Sequence, residues 1–320
     1  LEYPLLFISS SNISLILVFM KNNVLLFLVL VLALVACKPA ATEAGGEESQ
    51  ETASLNLNLD DPADNLTAFV KVRGSLTDNE EVIYYANGKI YGFVDGERDK
   101  PLMGFEMYNI GRSIKKGDNE YELLTNEVLL YTDLKTGEVL EQFENPYTGE
   151  TVDVLHVWNS PVNQKQQLEG RFGKWGVNHN KVGDDMICMN ADIFLKYPSP
   201  LSTAEYPENS QSDDYEAAEL FQFFFSEKEM NDPNRNSINC TISWTRLGPW
   251  LPWLKMGQRP GNMVYQGAGY KLMETDYDQM PKVLTEYVMN TKPEYRHSPT
   301  EFTSPNETSW TYFKKMNPKE

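Results

Sequence analysis

The feature that most constrains this chain is its rhythm. From Asn65 onward, short apolar runs alternate with turn residues roughly every 10–15 positions, the spacing of short strands joined by tight turns. Glu81 to Tyr85 and Lys89 to Val94 flank Asn87-Gly88, a pair that favours a two-residue hairpin turn. Leu102 to Arg112 and Tyr121 to Thr132 flank Lys116-Gly117-Asp118-Asn119. Lys135-Thr136-Gly137-Glu138 turns into Val139–Phe143, and Asn145-Pro146-Tyr147-Thr148-Gly149 turns into Thr151–Trp158. In that last run Val152, Val154, His156 and Trp158 share one strand face, and Asp153, Leu155 and Val157 share the other. Further strands are expected at 171–177, 184–197, 215–228, 237–246 and 263–273. The fold class is therefore mainly β: a single antiparallel β-barrel-like or two-sheet domain, in which closure would remove exposed edges. Helices are few and peripheral, with candidates at Met280 to Met289 and Asn306 to Met316. With no internal repeat and no later linker, residues 65–320 read as one β-rich domain with a C-terminal helical segment.

The first 36 residues read as an address. Met20-Lys21-Asn22-Asn23 precedes an unbroken apolar run, Val24 to Ala36, of 13 residues. A membrane-spanning helix needs about 20 residues, whereas the apolar core of a signal peptide needs about 7–15. Leu34-Val35-Ala36-Cys37 resembles a bacterial lipobox, in which the Cys37 thiol carries a diacylglycerol. Several acyl chains anchor durably where one does not. The expectation is a signal peptide over 20–36, cleaved before a lipidated Cys37, with residues 1–19 as upstream readthrough. Two membrane helices over 5–19 and 24–36 would both be short for spans. Lys38, not Asp, follows the cysteine, which points to the outer membrane, with the protein in the bacterial cell envelope facing the periplasm. Residues 37–64 read as a disordered acidic tether, too poor in apolar residues to offset its ordering entropy. Asp60-Asp61-Pro62-Ala63-Asp64 closes it and supplies a cap for the first ordered element.

Charge and cysteine content exclude several classes. The chain carries 46 acidic and 28 basic residues, a net charge of −18, which opposes general nucleic-acid binding. Three cysteines in 320 residues cannot form a disulfide scaffold. With Cys37 lipidated, Cys188 and Cys240 remain, and both a bridge and two buried thiols fit their predicted strands. The three histidines, His156, His179 and His297, come from distant segments and show no zinc spacing. No nucleotide, hydrolase-elbow or metalloprotease motif is present. No cofactor or metal is expected.

Three constellations carry chemistry. Trp244 to Gly261 holds three Trp, three Pro, three Gly, two Arg and one Lys in 18 residues. Trp250, Trp253, Arg246 and Arg259 could form the aromatic, cationic mouth of a ligand cavity, or the segment could plug one end of a barrel. His156 with Trp158 and Asn159 sits at a strand end, where a histidine can act as an acid or base or be hydrogen-bonded inside the fold. Asn109 and Arg112 end another strand. Arg112 could point inward as a cation for a carboxylate or outward to water.

The chain resembles the bacterial and fungal domain of unknown function 1838. The resemblance is carried by Asn58-Leu59-Asp60-Asp61-Pro62 with Lys71-Val72-Arg73-Gly74-Ser75, and by Leu129-Leu130-Tyr131-Thr132-Asp133 through Thr136-Gly137-Glu138-Val139-Leu140. Asn145-Pro146-Tyr147-Thr148-Gly149-Glu150, His156-Val157-Trp158-Asn159 with Pro161-Val162-Asn163, and Gly248-Pro249-Trp250-Leu251-Pro252-Trp253 with Met256-Gly257 extend it over about residues 57–300. It implies an often exported soluble domain and brings no reaction or catalytic residues.

The leading expectation is a lipid-anchored domain that binds a small apolar or aromatic molecule in a β-barrel cavity. Asn109, Arg112, Trp158, Asn159, Arg246, Trp250, Trp253 and Arg259 are the candidate binding residues. One alternative is a cofactor-independent lyase, isomerase or hydrolase using His156 as acid/base. Another is a structural or assembly lipoprotein that uses its aromatic loop against a partner. The sequence does not indicate an oligomeric state.

Overall fold

Asp61 starts the first element. Its carboxylate accepts the N–H groups of Ala63 (2.9 Å) and Asp64 (3.2 Å), and Pro62 stands where a helix needs no N–H donor. Helix α1 (Pro62–Arg73) follows, with Lys71 and Arg73 in its last turn complementing the helix dipole. The computed structural model describes residues 54–170 and 173–319. The apolar run, Cys37 and the tether up to residue 53 lie outside these. Residues 54–64, assigned above to the tether, belong to the fold: Leu55 N–H donates to Asn231 O (2.9 Å) and Leu57 N–H to Asn231 Oδ1 (2.8 Å). Among the described residues no helix is long and apolar enough to cross a membrane.

The body is one large antiparallel sheet. Strands β1 (Glu81–Phe93), β2 (Lys100–Gly117) and β3 (Glu120–Thr132) form a meander, with Asp118-Asn119 as the β2–β3 turn and Asn119 in the left-handed region (φ 54). Next come the ribbon β4 (Gln142–Glu144) and β5 (Thr151–Asp153), then β6 (Val157–Asn159) and β7 (Gln164–Gln167), both paired to β3. After a second ribbon, β8 (Glu169–Gly170) and β9 (Gly173–Lys174), a second meander runs through β10 (Asn178–Val182), β11 (Met186–Pro198), β12 (Asp214–Ser226), β13 (Thr241–Gly248) and β14 (Asn262–Met273). Strand β14 returns beside β1, so the order is β10-β11-β12-β13-β14-β1-β2-β3-β6.

The sheet curls without closing. Five strand steps separate Glu219 on β12 from Glu127 on β3, roughly 24 Å in a flat sheet. Yet the charge of Glu219 acts on Glu127, and Tyr131 of β3 shares a core cluster with Tyr265 of β14 and Tyr215 of β12. Glycines permit the curl where β1 meets β14. Gly88 lies opposite Gly267, and a Cβ on Gly88 would collide with the Gln266 carbonyl oxygen.

This corrects the expected Asn87-Gly88 hairpin. The pair lies inside β1, because its glycine serves close backbone approach rather than a turn. A closed barrel and a two-sheet packing are corrected as well. Among the described residues β10 pairs only with β11, and β6 and β7 pair only with β3. The short β6 and β7 cover β3 in two pieces and offer no continuous edge for closure. The expected strand Thr151–Trp158 is likewise split into β5 and β6 around residues 154–156.

Each face is covered differently. The convex side of β1–β3 packs Ile83, Tyr108, Ile110, Val128, Leu130 and Trp158 against Leu284 and Val288 of α3 (Lys282–Thr291) and their neighbours. A one-turn helix α2 (Glu227–Met230) follows β12, and α4 (Ser309–Met316) is held by a Thr308–Thr311 capping box. Cys188 and Cys240 are both buried and unbridged.

Candidate functional site

The concave face has two plugged ends. At one end α1 packs Phe69 edge-on to Phe223, with ring centroids 5.9 Å apart, and the Tyr84 hydroxyl donates to Val72 O. Beneath it, Lys271 donates from Nζ to Lys71 O (2.8 Å) and Gly74 O (2.5 Å), satisfying carbonyls at the helix end. Burial pulls this ammonium down to about 7. At the other end sits the Trp-Pro loop. Trp250 N–H donates to Gln211 Oε1 and its indole N–H to Arg259 O, both at 3.0 Å. Asn145 ties the loop to the β4–β5 ribbon by donating to Leu254 O (2.8 Å).

Between the plugs the wall is aromatic. Trp244 touches Phe105 (5.7 Å), Tyr265 (5.6 Å) and Phe221 (6.1 Å), and Trp253 touches Tyr131 (5.3 Å). The Arg246 guanidinium lies over Tyr265 (5.0 Å) and Trp310 (5.7 Å). Its NH2 donates to Tyr215 Oη (2.8 Å), and its Nε stands 3.5 Å from Glu219 Oε1. Among the described residues two buried N–H groups on this wall lack a partner: NH1 of Arg246 and the indole nitrogen of Trp244. Buried donors without acceptors are costly.

Nearer α1 a polar row crosses three strands. Asn109 of β2, Glu127 of β3 and Asn159 of β6 are paired in register and so share the concave face. Each asparagine donates its amide N–H to one oxygen of Glu127, at 3.1 Å. Burial is the main influence pushing the Glu127 carboxyl up, and Glu219 adds to it; the Asn159 and Asn109 hydrogen bonds and the Arg73 charge oppose it. Glu127 lies deep within the curl yet keeps accessible surface, as do Met107, Glu219 and Phe221 on the same face. All four are partly accessible side chains of the concave face. Two hollows of about 410 and 320 Å³ lie elsewhere, one against Tyr206 and Lys314, the other beside Leu57 and His179.

The expected site residues divide accordingly. Asn109, Asn159 and Arg246 meet on the concave face, and Trp253 lies at its end. Trp250 and Arg259 brace the loop: Arg259 pairs with Glu97 (2.8 Å) and lies over the Tyr147 ring (5.2 Å). Trp158 faces the convex core, edge-on to Tyr295 (5.2 Å). Arg112 is also on the convex side, against the inward cation expected of it. It donates to Glu81 (2.6 Å), Ser298 Oγ (2.6 Å) and Asn79 (2.9 Å). Positions 109 and 112 differ by an odd number, so a strand must place them on opposite faces.

His156 is buried at the sheet edge, stacked on Tyr131 (5.9 Å) and edge-on to Tyr287 (5.4 Å). Its Nδ1 accepts the Tyr131 N–H (3.1 Å), so the ring proton is assigned to Nε2. Burial lowers the imidazole to about 4. At neutral pH it is an uncharged ring whose lone pair is already engaged.

One group of acids and a histidine lies elsewhere. Glu81, Glu274 and His297 bring ligand atoms within 4.8 Å of one another. Both carboxylates already hold cationic partners there, Arg112 on Glu81 (2.6 Å) and Arg296 on Glu274 (2.6 Å). These residues do not fit a metal ion.

The sequence reading missed Glu127, Glu219 and Arg73. One signal was available for Glu127. It is the only charged residue between Leu123 and Thr132, in a run whose neighbours are mostly buried.

Fold and site together define a curled antiparallel-sheet domain with a polar and aromatic interior, plugged by a helix and a Trp-Pro loop. The chain belongs to the family described as Protein of unknown function (DUF1838), whose model matches residues 79–317. No curated protein matches the chain.

Proposed function

We propose that the concave face binds a small aromatic molecule carrying a carboxylate or similar anionic group. The observation that carries this reading is the pair of buried N–H donors on one aromatic wall that have no partner among the described residues: Arg246 NH1 and Trp244 Nε1. A planar anion is the partner a guanidinium and an indole N–H match best. The rings supply apolar contact, and the partly accessible Met107 and Phe221 are where a ligand would enter. Calorimetric titration of the full chain with benzoate and phenylacetate tests it. Binding that falls at least tenfold in Arg246→Met supports the reading; no binding of either acid to the wild type sinks it.

The address is proposed alongside. The lipobox at Leu34-Val35-Ala36-Cys37 supports a lipid-anchored protein of the bacterial envelope, held at the outer membrane and facing the periplasm.

A further inference from the structure

We infer that the row Asn109–Glu127–Asn159 is a second subsite, which takes a primary ammonium group; this rests on the reading of the concave face as a ligand site. The argument is a count of donors and acceptors. The amide N–H of each asparagine is spent on Glu127. The two amide oxygens, Asn109 Oδ1 and Asn159 Oδ1, are buried and have no partner among the described residues. Each oxygen is bonded to the same carbon as the nitrogen that touches Glu127, so both lie beside the carboxylate. Asn109 is 8% exposed and Asn159 6%, so bulk water does not satisfy them.

Three acceptors therefore lie along one row, a carboxylate that retains lone pairs with an amide oxygen on either side. An ammonium carries three N–H donors and one positive charge. A hydroxyl, with one donor, would leave two acceptors unmatched. An anion would face only acceptors.

The charge balance agrees. Among the described residues no cation lies within ion-pair distance of Glu127. Arg73 acts on it only from a distance, with its guanidinium stacked 4.6 Å over the Tyr84 ring. Glu219, itself paired with Arg246, leaves no cation to spare for Glu127 and adds to burial in pushing its carboxyl up. A half-buried carboxylate without a counter-ion still carries a desolvation cost, and a ligand ammonium supplies that counter-ion.

The test is calorimetric titration of the full chain with benzylamine, benzyl alcohol and benzoate. The expected result is that benzylamine binds at least tenfold tighter than benzyl alcohol. It should lose at least tenfold in Glu127→Gln, which keeps the shape and removes the charge. Benzoate binding should not weaken in that variant. Equal affinity for benzylamine and benzyl alcohol in the wild type overturns the ammonium site, whether or not Glu127→Gln folds. So does undiminished benzylamine binding by a folded Glu127→Gln. Benzoate bound without benzylamine overturns the ammonium site alone and leaves the Arg246 reading standing. Failure of both overturns both.

Discussion

Lowering the pH from 7 to 5 should destabilise this domain by about 2 kcal/mol through His156 alone. The ring is 5% exposed, and burial holds its imidazole at about 4 against an ordinary 6.5. In the unfolded chain the same ring takes up its proton near the ordinary value. As pH falls, the unfolded state binds the proton first. The contribution is therefore intact above about 6.5, shrinks below it, and is lost by about pH 4. Over that window the loss approaches roughly 3 kcal/mol, at 1.36 kcal/mol for each unit of difference. About 2 kcal/mol of it falls between pH 7 and 5, worth roughly 4–8 °C in Tm for a domain of this size. Urea unfolding followed by Trp fluorescence at the two pH values, for wild type and His156→Gln, measures it. Carboxylates such as Glu81, held low by its hydrogen bonds, act equally on both proteins and cancel in the difference. The wild type should lose about 2 kcal/mol more than the variant. Equal losses would show that His156 is not held neutral by burial, and would return it to consideration as an acid or base at neutral pH.

Two glycine and capping tests address the fold, and one the address. Gly88→Ala places a Cβ against the Gln266 carbonyl and should cost about 3 kcal/mol or more in a urea melt; a loss under about 1 kcal/mol would mean that β1 and β14 do not approach as described. Asp61→Ala removes two hydrogen bonds at the start of α1 and should cost about 1 kcal/mol, whereas Asn58, which precedes the helix, should tolerate Ala better. Cys37→Ser should release the protein from the membrane fraction, and unchanged retention would refute the lipid anchor.

Local chemistry was legible and long-range geometry was not. The later strands were expected at 184–197, 215–228, 237–246 and 263–273, and β11 to β14 lie within a few residues of these, because apolar runs and turn residues are local signals. The helix expected over 280–289 is α3, shifted by two residues. Asn87-Gly88 misled because its glycine answers to β14, nearly two hundred residues away, and nothing near it in sequence says so. The pairing of β14 with β1, which sets the curl, is likewise a long-range event. At the site, Asn109 and Asn159 were singled out as polar residues at strand ends and Arg246 as part of the Trp-Pro segment, and all three lie on the concave face. Glu127 stands out as the charged residue of an apolar run and was overlooked, while Glu219 and Arg73 gain meaning only when the sheet curls. Arg112 could have been placed correctly from strand parity alone.

The central claim is that the concave face holds a small aromatic anion against Arg246. Native mass spectrometry of the full chain purified from its own host tests it most directly, with Arg246→Met prepared in parallel. The account predicts a wild-type adduct of one aromatic acid that is missing from a folded Arg246→Met. A bare wild-type mass, or an adduct equally present in the variant, would contradict it.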